Sequence, residues 1–365
     1  MSLSQNELLR YGRQLPLFGV DGQNRLKEAR VLVVGAGGLG CPVLQYLTAA
    51  GVGHISIVDG DHVELSNLQR QILFTEKEIG QNKAMLAKAK LAELNANTTF
   101  EAHDTFLDEE NAKALIAPHD LVIDGTDNYA ARFLLNRFCR ELQKPLVSAS
   151  IYRYEAQISV FNNLDDAPCY ECLYPKQPPE GFVPNCAEGG VLGVLPGVVG
   201  GIQATEALKL LLNTGESLAG RLLMLDLFTM QFQEFKVTKH PDCQNTHCRP
   251  ETQTNTTQPQ VVNQISPKVL QAHLNENKDL QLIDVREPYE REICHFGGIH
   301  IPLSMLPSKL SELSPEKETV IYCKSGKRSE QAVALLTQHQ FNNISSLSGG
   351  ILAWIDETDK TLSRY

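Results

Sequence analysis

The sequence predicts an α/β chain in two parts, a larger unit with a central, mostly parallel sheet and a smaller α/β unit after it. Three observations carry this prediction. From Val31 to about Ala149, short β-branched runs alternate with segments of helical apolar periodicity, the pattern of a parallel sheet covered by helices. The same alternation restarts near Ile265. Between the two, Pro250-Glu251-Thr252-Gln253-Thr254-Asn255-Thr256-Thr257-Gln258-Pro259 holds no large apolar residue and cannot bury enough surface to offset its conformational entropy. The expected division is therefore residues 1–248, a linker at 249–260, and residues 261–365. A length of 365 residues agrees with it, at roughly 100–200 residues per domain.

Taken in order, Val31–Val34, His54–Val58 and Leu121–Asp124 read as buried strands, and Leu39–Ala50, Asn82–Asn95 and Ala130–Gln143 as helices. After Pro145, strands are expected at Leu146–Ala149 and Gln157–Phe161. Val191–Ile202 is interrupted by Gly193, Pro196, Gly197, Gly200 and Gly201, so it reads as a buried loop leading into a helix at Val199–Leu212. It also falls short of the roughly 20 apolar residues that span a bilayer. Leu222–Leu225 and Met230–Val237 form a hairpin pattern. The second unit should place strands at Gln281–Asp284, Thr319–Tyr322 and Ile344–Leu347, with helices at Pro267–Asn275, Arg328–Gln338 and Ile351–Asp356.

Hydrophobic residues at 42% and charged residues at 21% exclude a disordered, collagen-like or coiled-coil chain. A net charge of −10 argues against a broad nucleic-acid-binding surface, which needs a local excess of Lys and Arg. Met1–Gln14 has no signal-peptide pattern, so a cytoplasmic protein is expected, with no membrane partner. The nine cysteines are too irregularly spaced for a disulfide scaffold in a chain this long. Metal binding or thiol chemistry is the expectation.

Gly35-Ala36-Gly37-Gly38-Leu39-Gly40 follows a strand and opens a helix, and Asp59 ends the next strand. This is a dinucleotide-type fingerprint in its proper context: glycines admit phosphate, helix N–H groups face it, and the acid accepts from a ribose. Alone it suggests an NAD-dependent dehydrogenase. The next segment, Asp59-Gly60-Asp61-His62-Val63-Glu64-Leu65-Ser66-Asn67-Leu68-Gln69-Arg70-Gln71, with Lys83 and Asp127-Asn128 further on, favours triphosphate cleavage instead. Arg70 and Lys83 would neutralise a departing pyrophosphate, and Asp127 would hold Mg²⁺ on the phosphates. Either cation alone would read as an ordinary surface charge.

These residues resemble the MoeB/ThiF-type ubiquitin-activating-like adenylyltransferases, from about Tyr11 to Cys248, most specifically in Ser66-Asn67-Leu68-Gln69-Arg70-Gln71. The resemblance implies a Rossmann-like adenylation domain that uses ATP to activate the C-terminus of a small ubiquitin-like sulfur-carrier protein, MoaD-like or ThiS-like, as an acyl-adenylate. It assigns Gly38, Asp59, Ser66, Asn67, Leu68, Gln69, Arg70, Lys83, Asp127 and Asn128 to ATP or its metal. It also implies a homodimer in which Arg13 reaches the partner's phosphates. Relatives serve molybdopterin, thiamin, cysteine or tRNA thiolation.

Cys169-x2-Cys172 and Cys243-x4-Cys248 supply four thiolates, a set suited to tetrahedral Zn²⁺ in a structural site. The family usually has a shorter second gap, which leaves His247 as an alternative to Cys248. Cys186, in a loop of small residues, matches the position proposed in relatives to bond transiently with the activated carrier or its persulfide; a purely structural cysteine is the alternative. Cys41 and Cys139 fall on apolar helix faces and read as core, and Cys294 carries no assignment.

Cys323-Lys324-Ser325-Gly326-Lys327-Arg328-Ser329 lies between a strand and a helix. Loop N–H groups, a helix N-terminus and three cations there favour a thiolate and would hold an anionic persulfide. With Asp284-Val285-Arg286-Glu287-Pro288-Tyr289-Glu290, His300-Ile301-Pro302-Leu303 and Leu347-Ser348-Gly349-Gly350-Ile351-Leu352-Ala353-Trp354, it resembles a rhodanese domain over Ile265–Tyr365, with Asp284 and Arg286 bracing the loop. The combined expectation is adenylation of the carrier followed by sulfur transfer from a Cys323 persulfide, loaded by a cysteine desulfurase or another persulfide donor. In the competing reading the second domain only docks or regulates.

Overall fold

The core of the first unit grows from β1 (Arg30–Val34), whose Val31, Leu32, Val33 and Val34 are all buried. Side chains alternate across a strand, so Val31 and Val33 enter one core with Leu44, Leu47 and Ile57, while Leu32 and Val34 enter another with Val122, Leu135 and Phe138. Burial on both faces is what a parallel strand covered by helices requires. The computed structural model describes residues 3–163, 166–177, 190–244, 248, 262–276 and 279–364. The chain divides into two units, Met1–Thr252 and Gln253–Tyr365.

In the first unit β1 is joined by β2 (His54–Val58), β3 (Thr99–His103), β4 (Leu121–Asp124), β5 (Leu146–Tyr152), β6 (Glu155–Phe161), β7 (Arg221–Asp226) and β8 (Gln231–Lys236). They form an eight-stranded sheet in the order β3-β2-β1-β4-β5-β6-β7-β8. The pairs from β3 through β5 are parallel, and those from β5 through β8 are antiparallel. Helices Gly40–Ala50 and Leu195–Leu212 pack on one face. Helix Tyr129–Glu141 covers the other.

The helix expected at Val199 begins at Leu195. Its glycines do not break it, and Gly200 is a packing device: a Cβ there would stand 2.8 Å from the Leu39 carbonyl oxygen and 2.5 Å from Pro42 Cγ. Pro196 sits in the first turn, where its missing N–H costs nothing. The helix expected at Asn82 begins at Lys83, because Asn82 is its cap and accepts the Met85 N–H. Helices Gln5–Arg10 and Leu15–Glu28, strand β3 and helix Ala112–Ile116 were not anticipated. The first carried a legible signal, the Ser4–Glu7 capping box.

The second unit holds β9 (Gln264–Ile265), β10 (Leu280–Asp284), β11 (Ile299–His300), β12 (Glu318–Tyr322) and β13 (Ile344–Leu347). Its sheet has the order β11-β10-β12-β13-β9 and is parallel throughout, with two-residue strands at both edges. Helices Pro267–Asn275, Lys327–Thr337 and Gly350–Glu357 cover it, with the unanticipated Pro288–Ile293 following β10. Among the described residues no helix is long and apolar enough to cross a membrane.

One buried polar pair ties β2 to the loop before β4. His119, 2% exposed, places Nδ1 2.7 Å from the Leu115 carbonyl and Nε2 2.7 Å from Ser56 Oγ. The carbonyl can only accept, so Nδ1 carries the proton and Nε2 accepts from the Ser56 hydroxyl. Burial, with the Arg30 charge in the same direction, pushes the His119 pKa below its ordinary value, outweighing the bond to Leu115. The folded state therefore disfavours the second proton that an unfolded chain takes up near pH 6.5. Stability from this residue is complete above that pH and is lost as pH falls below it. In His119→Gln the thermal midpoint of the first unit should fall less steeply between pH 7 and pH 5 than in the parent, as read by calorimetry.

Candidate functional site

The C-terminal ends of β1, β2 and β4 surround a cavity of about 830 Å³. Its floor is built where backbones meet without side chains between them. A Cβ on Gly40 would stand 1.9 Å from the Gly35 carbonyl oxygen, and one on Gly35 would stand 2.7 Å from that of Gly125. Helix Gly40–Ala50 thus starts directly at the cavity, with the glycine loop in the wall. Its unpaired N–H groups make this an anion-receiving end.

Gly38, Asp59, Arg70, Lys83, Asp127 and Asn128 all line this one cavity. Asp59 is anchored through both oxygens, accepting the Ala36 N–H at 2.7 Å and the Asp61 N–H at 2.8 Å. Burial raises its pKa, and those two bonds together with the Lys83 charge offset part of the rise. Lys83, only 5% exposed, lies with Nζ 3.2 Å from Asp61 Oδ2. Its placement is fixed by Asn82, whose amide donates to the Asp59 carbonyl, the Asp61 carbonyl and Asp104 Oδ1. Asp127 is exposed on the wall, and Asn128 spends its oxygen capping helix Tyr129–Glu141.

Ser66, Asn67, Leu68 and Gln69 do not line the cavity. They build the turn that delivers Arg70, whose Nη1 donates to the Ser66 carbonyl and whose N–H donates to that of Asn67. Leu68 packs on the core, and Gln69 abuts Gly193. Arg13 is exposed in the turn between the two N-terminal helices. Cys186 and His247 lie outside the described residues. Sequence reasoning missed Gln71, Arg132, Arg137 and Arg140, which also line the cavity. Gln71 is buried beside Gly37 with an unpartnered Oε1, and its place next to Arg70 was the available signal.

Cys169, Cys172, Cys243 and Cys248 come together with all four sulfurs within 4.8 Å of one another. Sγ separations are 3.7 Å for Cys169–Cys172, 3.6 Å for Cys172–Cys248 and 3.5 Å for Cys169–Cys243. These are too long for disulfides and close to the roughly 3.8 Å edge of a tetrahedron with 2.3 Å metal–sulfur bonds. Cys248 lies within this group of sulfurs, and its alternative His247 is outside the described residues. Cys41 and Cys139 are core residues, and burial holds the Cys41 thiol up at about 12.

In the second unit Cys323 follows β12 at the sheet's C-terminal end and is 1% exposed. Its sulfur accepts the Gly326 N–H at 3.1 Å, with Ser329 Oγ 3.6 Å away. The loop is held from behind: Ile351 and Leu352 N–H groups donate to the Cys323 and Lys324 carbonyls, an approach open only because Gly350 lacks a Cβ. Arg328 differs from its expected role. It is buried and bound bidentate by Glu290 at 2.6 and 2.8 Å, so its charge is balanced away from the sulfur. Asp284 and Arg286 pair bidentate at 2.7 and 2.8 Å, with Arg286 over the ring of Tyr322, the residue before Cys323. Burial opposes ionisation of Asp284, and the Arg286 bonds and charge overcome it, lowering its pKa.

A glycine-loop cavity ringed by cations and acids, and a cysteine loop at the end of a second parallel sheet, define an enzyme with adenylyl- and sulfur-transfer parts. The chain belongs to the ThiF family, matched over residues 11–245, and residues 266–357 match the rhodanese-like domain. It is 41% identical to a Mycobacterium tuberculosis protein named probable adenylyltransferase/sulfurtransferase MoeZ, covering 100% of this chain and 97% of that one. It is 38% identical to adenylyltransferase and sulfurtransferase MOCS3-1 of Drosophila pseudoobscura pseudoobscura, covering 100% of this chain and 86% of that one. Over 67% of its length it is 49% identical to a Thermus thermophilus sulfur carrier protein adenylyltransferase, covering 92% of that protein. The crystal structure of E. coli MccB shares the fold, with a TM-score of 0.59 at 20% identity over 70% of this chain and 76% of that one. The chain is an enzyme of the adenylyltransferase and sulfurtransferase type.

Breaking the Glu290–Arg328 pair tests how the cysteine loop is held. Glu290→Gln removes the carboxylate charge that pairs with the buried Arg328 guanidinium, and breaking such a buried pair costs about 3–5 kcal/mol. A lowered midpoint confined to the second unit is the expected calorimetric result.

Proposed function

We propose that the first unit adenylates the C-terminal carboxylate of a small ubiquitin-like sulfur-carrier protein and that the second unit supplies sulfur to convert it to a thiocarboxylate. The observation that carries this reading is the presence, in one chain, of the Arg70–Lys83–Asp127 cavity and the Cys323 loop. The name of the Thermus relative supports a sulfur carrier as substrate.

ATP would lie with its phosphates over the glycine loop and the helix start at Gly40, and its ribose toward Asp59. The carrier carboxylate attacks the α-phosphorus, the bond to the bridging oxygen breaks, and pyrophosphate leaves. Arg70 and Lys83 stabilise the negative charge that gathers on it, an effect strengthened by the burial of Lys83. Asp127, a hard oxygen donor on the cavity wall, would hold Mg²⁺, which screens the phosphates. Asn128 fixes the helix that carries this corner. Arg13 would act in a homodimer, and Ser66 through Gln69 act by shaping the turn under Arg70.

The four clustered thiols fit Zn²⁺ as a structural ion that ties the Cys169–Cys172 turn to the segment bearing Cys243 and Cys248. In the second unit a persulfide on Cys323, loaded by a cysteine desulfurase or another persulfide donor, is a nucleophile, and the acyl-adenylate is an electrophile. Tethering raises the concentration of one near the other. The terminal sulfur attacks the acyl carbon and AMP leaves, giving an acyl disulfide on Cys323. Attack of the Cys186 thiolate on Cys323 Sγ then releases the thiocarboxylate and leaves a Cys186–Cys323 disulfide, which an external dithiol reduces.

Carrier-dependent ATP–pyrophosphate exchange should fall about 10²–10³-fold in Lys83→Met, the range for losing one transition-state charge contact. Cys323→Ala should retain exchange and yield no thiocarboxylate by mass spectrometry. Thiocarboxylate at parental levels in Cys323→Ala would instead make the second unit a docking or regulatory module. Pyrophosphate exchange with none of the candidate carriers would overturn the reading.

A further inference from the structure

Helix Tyr129–Glu141 runs from the nucleotide cavity to the thiol cluster. Asn128 caps its first turn, and near its other end Asn136 and Arg140 stand one turn apart on the same face. That face grips the segment carrying the first thiol pair. Asn136 Oδ1 accepts the Tyr170 N–H at 2.8 Å, and its amide donates to Glu171 Oε2 at 2.8 Å. Arg140 Nη1 donates to the same carboxylate oxygen at 2.8 Å and lies 3.5 Å from Cys169 Sγ, within reach of an N–H···S bond. Arg140 is only 6% exposed and Asn136 is fully buried. The four-residue helix Tyr170–Leu173 between Cys169 and Tyr174 is too short to hold its own geometry, so this neighbouring face sets it.

A divalent cation on four thiolates leaves net negative charge in a place largely closed to water. A buried guanidinium aimed at one of those sulfurs, its charge shared with Glu171, offers an N–H bond that removes electron density from the thiolate. Glu171 fixes the direction of the guanidinium. The sequence spacing of the cysteines contains none of this, because Arg140 lies 29 positions before Cys169.

We infer that Arg140 is a positioning residue for the metal site. By donating to the Cys169 thiolate it holds the ion in place and shields that sulfur from chemical attack. The inference rests on the reading of the four thiols as a zinc site. Since Arg140 and Cys248 also line the cavity, retention of the ion and the shape of that cavity wall depend on the same side chain.

The test uses the full chain and compares the parent with Arg140→Gln, which keeps a donor but loses the charge, and with Arg140→Lys, which keeps the charge but loses the fork. Zinc per chain is measured by elemental analysis, and its release to a colorimetric chelator is followed in time. Alkylation of Cys169 by iodoacetamide is mapped by mass spectrometry, and thermal midpoints are taken in excess zinc. Release should be about 10–100-fold faster in Arg140→Gln, the range for losing an outer-sphere partner, with Arg140→Lys between it and the parent. Cys169 alkylation should follow the same order. Parental release from Arg140→Gln, or equal release from the two variants, overturns the role of Arg140. If Arg140→Gln does not fold, Arg140→Lys decides alone, and a parental rate overturns the inference. A parent chain that carries no zinc and takes none up overturns the metal reading and this inference together.

Discussion

Backbone contact at Gly35, Gly40 and Gly125 is the constraint on which the first unit depends. There the end of β1, the start of a helix and the end of β4 approach so closely that a Cβ on Gly40 would overlap the Gly35 carbonyl. Because β2 and β4 flank β1, this meeting brings Asp59 from one neighbour and Asp127 from the other to the rim of the same cavity. The Ala36 N–H bond to Asp59 then locks the loop against β2. Charge placement around the cavity is thus a result of strand order, with each acid carried by the strand it follows.

The two units solve a related problem in similar ways. Each puts its reactive loop at the C-terminal end of an inner parallel strand, where the crevice of an open α/β sheet lies. Each lets glycine remove the bulk that would keep a neighbouring backbone away, Gly40 in one and Gly350 in the other. Each also commits buried arginines to structural carboxylates. Arg328 answers Glu290, and Arg140 answers Glu171, so the cations nearest each site are not all available to a ligand.

The central strands were legible because burial on both faces leaves continuous β-branched runs, as in Val31–Val34 and Leu121–Asp124. The glycine loop and Asp59 were legible because their spacing is local. The start of the helix at Leu195 was not, since Gly200 is explained by contact with Leu39 and Pro42, more than 150 positions earlier in the chain, and Pro196 by its place in the first turn. Strand β3 escaped because only Phe100 of its five residues is buried. The partnership of Arg328 with Glu290 spans 38 positions and no periodicity records it. Residues such as Arg140 and Gln71 take their meaning from a cavity wall, which exists only after folding.

The sheets end differently. In the second unit the edges are β9 and β11, two residues each, too short to offer another chain a useful row of unpaired N–H and carbonyl groups. The first sheet ends in β8, six residues long and exposed throughout, with Phe232 and Phe235 on it. Self-association through strand addition is therefore blunted at both margins of the smaller sheet. The β8 margin of the larger one lacks that safeguard, since six exposed residues make an edge long enough for another strand to pair with.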